Sequence, residues 1–250
     1  YIQRFSVAEP DKALEYALLI KDAKDRRELI KNIVLDTSAY DIIFGSVLSD
    51  GKLTSGHLHN FVSREEASNI IEVTAMGAEE NGKFEDAVHL YNLAKNLQKV
   101  FELLNARMGM TLTEKSSSRD YVFQLADKLY NSYRNGPAGA PYEELSKVKQ
   151  SVMDVFAQLK ALSQFFAFYY QKHYAQAIEV MKSLQLIPFK QEQLESRQRS
   201  FKSLSEPIKR NFAEILNATM TSLYSLYRAS VASPVNDQNQ LYELQSAGNL

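Results

Sequence analysis

SREEASNIIEVTAMGAEENGKFEDAVHLYNLA, running from Ser63 to Ala94, reads as two helices and the turn between them. Ser63 and Glu66 stand three apart ahead of an apolar run, where a serine hydroxyl can cap free amides and the glutamate can reach back to the cap. Ala67, Ile70, Ile71, Thr74 and Ala78 then recur at the three-and-four spacing of one helical face. Asn81-Gly82 ends that helix, because these residues tolerate the left-handed conformation that closes a helix. Phe84 opens the next one, expected to run about 25 residues to Met108-Gly109. It carries one stripe of Phe84, Val88, Tyr91 and Ala94 and a second of Leu90, Leu93, Leu97, Val100 and Leu104. A helix that is apolar on two sides has to be covered on two sides, so it belongs between neighbours.

The same turn is echoed elsewhere in the chain. Gly82-Lys83-Phe84-Glu85-Asp86-Ala87 resembles Lys172-His173-Tyr174-Ala175-Gln176-Ala177, and Pro10-Asp11-Lys12-Ala13 is a fainter copy. In each, a small alanine shortly after a turn faces a close neighbouring helix. The separations are not multiples of the ~34-residue tetratricopeptide period. The expected fold class is therefore all-α: an irregular α-solenoid of stacked antiparallel helix pairs.

The rest of the chain agrees. Pro10 suits a first helical turn, and Ala13, Leu14, Ala17 and Leu18 follow it before an expected charged break from Asp22 to Arg27. Helices are expected from Leu29, from Tyr40 to Val47, and across Tyr121 to Tyr133. Asp50-Gly51 and Ser55-Gly56 mark a loop, and Asn135 to Pro141 a linker. Leu145, Val148, Val152, Val155, Leu159, Leu162, Phe166 and Tyr169 alternate threes and fours, which permits a coiled coil. Met153, Phe156, Phe165 and Phe168 widen that stripe, as expected of an inner helix. A short helix from Tyr174 stops before Pro188, another includes Leu194 and Phe201, and a last one starts at Pro207. Residues 1–232 are expected to form the solenoid and residues 233–250 a polar, frayed tail, in which Leu241 to Leu244 make at most one dockable turn. Tyr1 falls in mid-pattern, as in a piece of a longer protein.

Composition narrows the function. With 29 Lys and Arg against 30 Asp and Glu, the chain lacks the basic bias of a protein that lives on phosphate contacts. The excess of cations between Lys190 and Ala232 reads as a solvated face before it reads as a nucleic-acid site. Zero cysteines exclude disulfides, thiolate catalysis and cysteine-held metals here. No stretch approaches the roughly 18 apolar residues needed to span a bilayer.

No catalytic or nucleotide-binding motif stands out, and no cofactor or metal is expected. His57-Leu58-His59 could place two imidazoles near a metal, but reads as an exposed loop pair. His89 and His173 sit beside apolar stripes and read as packing or surface residues. Glu65-Glu66, Glu79-Glu80 and Glu143-Glu144 lie in terminal turns, where the helix dipole accounts for the first and third pairs without catalysis. Phe165-Phe166-Ala167-Phe168-Tyr169-Tyr170 is the most apolar spot. Phe165, Phe168, Tyr169, Phe201 and Phe212 are the candidate lining of a groove for a partner's segment, chosen on local apolarity alone.

The stretch Leu35-Asp36-Thr37-Ser38-Ala39-Tyr40-Asp41-Ile42-Ile43-Phe44-Gly45-Ser46-Val47-Leu48-Ser49-Asp50-Gly51, followed in order by Ser63 to Ala94, resembles the nucleoporin-interacting-component family. These are linker scaffold nucleoporins of the nuclear pore inner ring, and the fungal members look most alike. The resemblance extends over most of the chain and implies the C-terminal part of a coat-like α-solenoid. It implies a non-enzymatic scaffold at the nuclear envelope, serving nucleocytoplasmic transport of protein and mRNA. The partners implied are other nucleoporins, in particular the inner-ring adaptor nucleoporin through a short segment. Direct nucleic-acid binding is not expected, and the membrane only indirectly. A vesicle-coat or tetratricopeptide-like adaptor outside the pore is the alternative.

Overall fold

The computed structural model describes residues 6–46, 54–134 and 145–232, and these are helical with no strand among them. The turn expected at Asp50-Gly51, the linker at Asn135 to Pro141 and the tail at 233–250 lie outside the described residues. The chain divides into two compact units, one of Tyr1–Leu103 with Asp127–Lys149 and the other of Leu104–Ala126 with Gln150–Leu250.

In the first unit, α1 (Pro10–Leu18), α2 (Ala23–Thr37), α4 (Arg64–Glu80) and α5 (Phe84–Leu93) pack in series, with short α3 (Tyr40–Ile43) against α1. Ala13, Leu14 and Ala17 of α1, Ile30, Ile33 and Val34 of α2, and Ala67, Ile70, Ala75 and Ala78 of α4 are wholly buried. Gly77 lets α2 approach closely: a methyl group there would lie 2.9 Å from the Leu35 Cδ1 atom and 3.1 Å from the Lys31 Cδ atom, so those side chains would have to shift. The Asp22 to Arg27 stretch is not the expected break. Asp22 caps α2 by accepting from the Lys24 and Asp25 amides, both at 2.9 Å, so charges that look like a loop are a first turn. Those two bonds hold the Asp22 carboxyl below its ordinary pKa. Ser63 caps α4 through the Glu66 amide at 3.2 Å, but Glu66 does not reach back; its carboxylate pairs with Arg26 instead.

The long helix expected from Phe84 is two helices, α5 and α6 (Leu97–Thr111). Lys95 is left-handed (φ 59), the Asn96 amide donates to the Tyr91 carbonyl at 2.9 Å, and the Asn96 side chain then accepts from the Lys99 amide at 3.2 Å. One helix is closed and the next capped within three residues, so both apolar stripes survive on separate rods.

The second unit takes the later part of α6, the earlier part of α7 (Ser117–Arg134), α8 (Gln150–Tyr170), α9 (Tyr174–Leu184), α10 (Leu194–Ser203), α11 (Glu206–Lys209) and α12 (Phe212–Ala232). α8 packs on α9, and α12 on both. Phe156, Leu159, Leu162, Phe165 and Phe166 of α8 are buried, a band wider than a two-stranded seam. Ile178 of α9 and Leu223 of α12 are buried together, with Phe189 and Leu226 against them. The helix expected from Pro207 is interrupted after Lys209. Asn211 turns inward there, donating to the carbonyls of Gly109 at 2.6 Å and Pro207 at 2.8 Å. Gly109 is held tightly as well, since a methyl group on it would lie 2.5 Å from the Pro207 Cβ atom.

Candidate docking surfaces

The five candidate aromatics fall in two groups. At the end of α8, Phe165 is fully buried, edge-on to Phe166 at 5.1 Å and stacked on Tyr169 at 6.4 Å between ring centroids. Its ring is core at that position. Phe168 and Tyr169 are half-buried; Phe168 lies beside His173, and Tyr169 beside Tyr170 and Tyr174. Phe201 of α10 and Phe212 of α12 form the other group, a T-shaped pair with centroids 4.7 Å apart. Phe201 is 41% exposed and Phe212 half-buried. No residue of α10 is buried, so it lies on the surface with Phe201 and Leu194 open to water.

Polar brackets hold the α8 end in place, and periodicity reveals none of them. Arg119 is buried, donating through Nε to the Leu112 carbonyl at 3.1 Å and through a terminal nitrogen to the Ser163 carbonyl and hydroxyl at 3.0 and 2.8 Å. The Tyr170 hydroxyl donates to the Thr113 carbonyl at 2.8 Å, and burial raises its pKa. Lys115 places its ammonium 4.3 Å from the centre of the Tyr170 ring.

The first unit has an open groove of about 680 Å³ lined by Tyr16, Leu19, Phe61 and Val62 with Lys12, Glu15, Arg26 and Glu66. Tyr16, Leu19 and Phe61 are more than half exposed. The α1–α2 turn opens this groove, and nothing in the apolar spacing separates its residues from core positions.

The histidines are scattered. His57 Nε2 lies 3.4 Å from a Glu15 carboxylate oxygen, His89 Nε2 lies 3.7 Å from one of Asp41, and His173 leads into α9. Among the described residues no three His, Asp or Glu side chains gather into a metal site. The Tyr40 hydroxyl donates to Asp86 at 2.6 Å, and burial, reinforced by that carboxylate, pushes its pKa up to about 12. Burial likewise raises Tyr91, whose hydroxyl donates to Glu79. Both tyrosines thus stay neutral hydrogen-bond donors at neutral pH. Among the described residues no helix is long and apolar enough to cross a membrane.

A family model described as Nup93/Nic96 matches residues 1–248. The nuclear pore complex protein Nup93 of Danio rerio is 30% identical over 96% of this chain, and the nucleoporin NIC96 of Saccharomyces cerevisiae is 24% identical over all of it. The chain spans only 30% and 32% of those two proteins. Among solved structures, the SOL portion of Chaetomium thermophilum Nic96 matches 99% of this chain and 42% of that one, with a TM-score of 0.81 at 17% identity. That likeness establishes the helical solenoid fold.

Proposed function

The chain belongs to the Nup93/Nic96 family, and on that premise we propose that it is part of a structural scaffold nucleoporin of the nuclear pore inner ring, at the nuclear envelope. The observation that carries the proposal is the family match over residues 1–248. On this reading the chain is not an enzyme. Its layers hold shape and its surface accepts short segments of other nucleoporins, the inner-ring adaptor nucleoporin in particular, in support of pore assembly and nucleocytoplasmic transport. Nucleic acid is not a direct partner, and the membrane is reached only through partners. Nothing among the relatives favours an adaptor outside the pore.

The candidate contact is the exposed Phe201 with Phe212 behind it, supplemented by the half-buried Phe168 and Tyr169. Apolar anchors of this kind yield affinity that changes little with salt, unlike phosphate contacts. The test is a titration of labelled peptides tiled from the adaptor nucleoporin at two salt concentrations. One tile should saturate, tolerate salt and bind at least tenfold more weakly to the Phe201→Asp variant, the loss typical of an anchor residue. Absence of binding by every tile removes adaptor docking from this chain.

A further inference from the structure

α10 is a helix with little to hold it in place. Of Leu194–Ser203, every residue but Arg197 is exposed. No side chain caps its start, and it packs mainly against the short turn Gln191–Gln193 that leads into it. The Arg197 guanidinium ties it back by donating to the Gln185 side-chain carbonyl at 3.1 Å, and the Phe201 ring does so by meeting Phe212. Its 10 residues are fewer than the roughly 12–15 at which even a good isolated helix is marginal, so the segment opens at small cost.

The residues on this helix form a pattern with a chemistry of its own. Arg197-Gln198-Arg199-Ser200-Phe201 places one arginine three residues before a serine, a second directly before it and an aromatic ring directly after it. Arg197 is the one arginine of the chain with a serine or threonine three residues on. Protein kinases choose substrates largely by the charges around the acceptor hydroxyl, and an acidic substrate cleft takes arginine at this spacing. Ser196 and Ser203 follow Gln193 and Ser200 at that spacing, and Ser205 follows Lys202 but is half-buried. A kinase cleft holds its substrate extended, so α10 has to open and the Ser200 hydroxyl has to leave the Ser196 carbonyl, 3.0 Å away. Both are easy on a helix packed against so little.

We propose that Ser200 is a phosphorylation site for an arginine-directed serine/threonine kinase, and that the phosphate loosens α10 from Gln185 and Phe212. The Ser200 hydroxyl oxygen attacks the γ-phosphorus of the kinase-bound ATP. The new O–P bond replaces the bond from that phosphorus to the β,γ-bridging oxygen, ADP leaves, and the hydroxyl proton passes to the kinase's catalytic aspartate. The product adds nearly two negative charges to the last turn of α10, at the negative end of its dipole. Arg197 lies one turn earlier, and its Nε, although buried, donates to no acceptor among the described residues. The phosphate supplies acceptors, and a charge-assisted pair displaces the neutral Gln185 amide. Arg197 thereby gives up its tie to Gln185. The inference is independent of the adaptor-docking reading.

The test incubates the 250-residue chain with ATP and the catalytic subunit of an arginine-directed kinase, and maps the products by mass spectrometry. Phosphate should appear on Ser200 with a kcat/KM within about tenfold of that for a free peptide of residues 193–207, because opening a marginal helix costs no more than that. S200A should remove this phosphate. R197A should lower kcat/KM at least about tenfold in the chain and in the peptide alike, and the loss in the peptide separates recognition from folding. In the phosphorylated chain the amides of α10 should exchange hydrogen at least about tenfold faster than before, while those of α8 are unchanged. Ser200 left unmodified in the chain overturns the proposal. So does modification more than about tenfold less efficient than in the peptide, since α10 is then held closed. An R197A chain and peptide phosphorylated as well as their parents overturn the recognition, and unchanged exchange in α10 overturns its release.

Discussion

The α4–α5 hairpin of the first unit and the α8–α9 hairpin of the second make the same turn from different residues. In one, the Lys83 amide donates to the Ala78 carbonyl at 2.9 Å and the Gly82 amide to the Glu79 carbonyl at 3.0 Å. In the other, His173 donates to Phe168 at 2.9 Å and Lys172 to Tyr169 at 3.0 Å. The left-handed residue is Gly82 (φ 70) in the first and Lys172 (φ 62) in the second. The following residue is again alike, Lys83 at φ −80, ψ 73 and His173 at φ −82, ψ 62. Four residues later, Ala87 and Ala177 are each fully buried. The turn is therefore specified by its backbone bonds and by the small residue beyond it, and glycine relaxes the geometry without being required by it. What surrounds the turns differs more. The first hairpin is tied by polar contacts, such as Lys83 to the Leu35 carbonyl at 2.9 Å and Tyr91 to Glu79 at 3.1 Å, whereas the second is packed in aromatic rings.

The largest test of this contrast removes an aromatic. Phe165→Ala should cost about 3–5 kcal/mol in chemical denaturation, since the ring is fully buried and its neighbours fill the cavity only in part. Removing the Tyr91 hydroxyl by Tyr91→Phe should cost only about 1 kcal/mol in the first hairpin. Equal losses would mean that the two hairpins are held in the same way. Next in size, Ala87→Leu and Ala177→Leu should each destabilise by about 1–3 kcal/mol through overpacking, and by similar amounts if the turns are equivalent. A twofold or greater disparity in denaturant midpoints would break the equivalence. The smallest effects have opposite signs. Gly82→Ala should destabilise by about 1 kcal/mol through backbone strain alone, because nothing lies within 4 Å of an added methyl group. Lys172→Gly should stabilise by up to about 1 kcal/mol for the converse reason. Thermal melts showing both substitutions destabilising would mean that the Lys172 side chain contributes more than its conformation costs.

Much of the hairpin pattern is legible in the residues. Ser63 before an apolar run, Asn81-Gly82 and the shared alanine are local signals, and they act over a few residues of chain. The missed boundaries are equally local but ambiguous. Asp22 can cap a helix or sit in a charged loop, and Lys95 has a high helical propensity yet adopts φ 59, because Asn96 and the next apolar stripe outweigh it. Contacts between distant segments leave no trace in periodicity: Gly109 beneath Pro207, Asn211 reaching the Gly109 carbonyl, and Arg119 bound to Ser163. The candidate surface divides along the same line. Phe165 and Phe201 are equally apolar as letters, but one is fully buried and the other 41% exposed.

The sequence alone therefore determined the helical class, the stacking of helix pairs and the family, because periodicity, caps and turn residues are properties of short stretches. Which apolar stripe became core and which, like Leu194 and Phe201 of α10, was left to water was decided only by tertiary structure. An apolar stripe obliges a helix to be covered, but its residues do not say by what. Burial is a property of the neighbours.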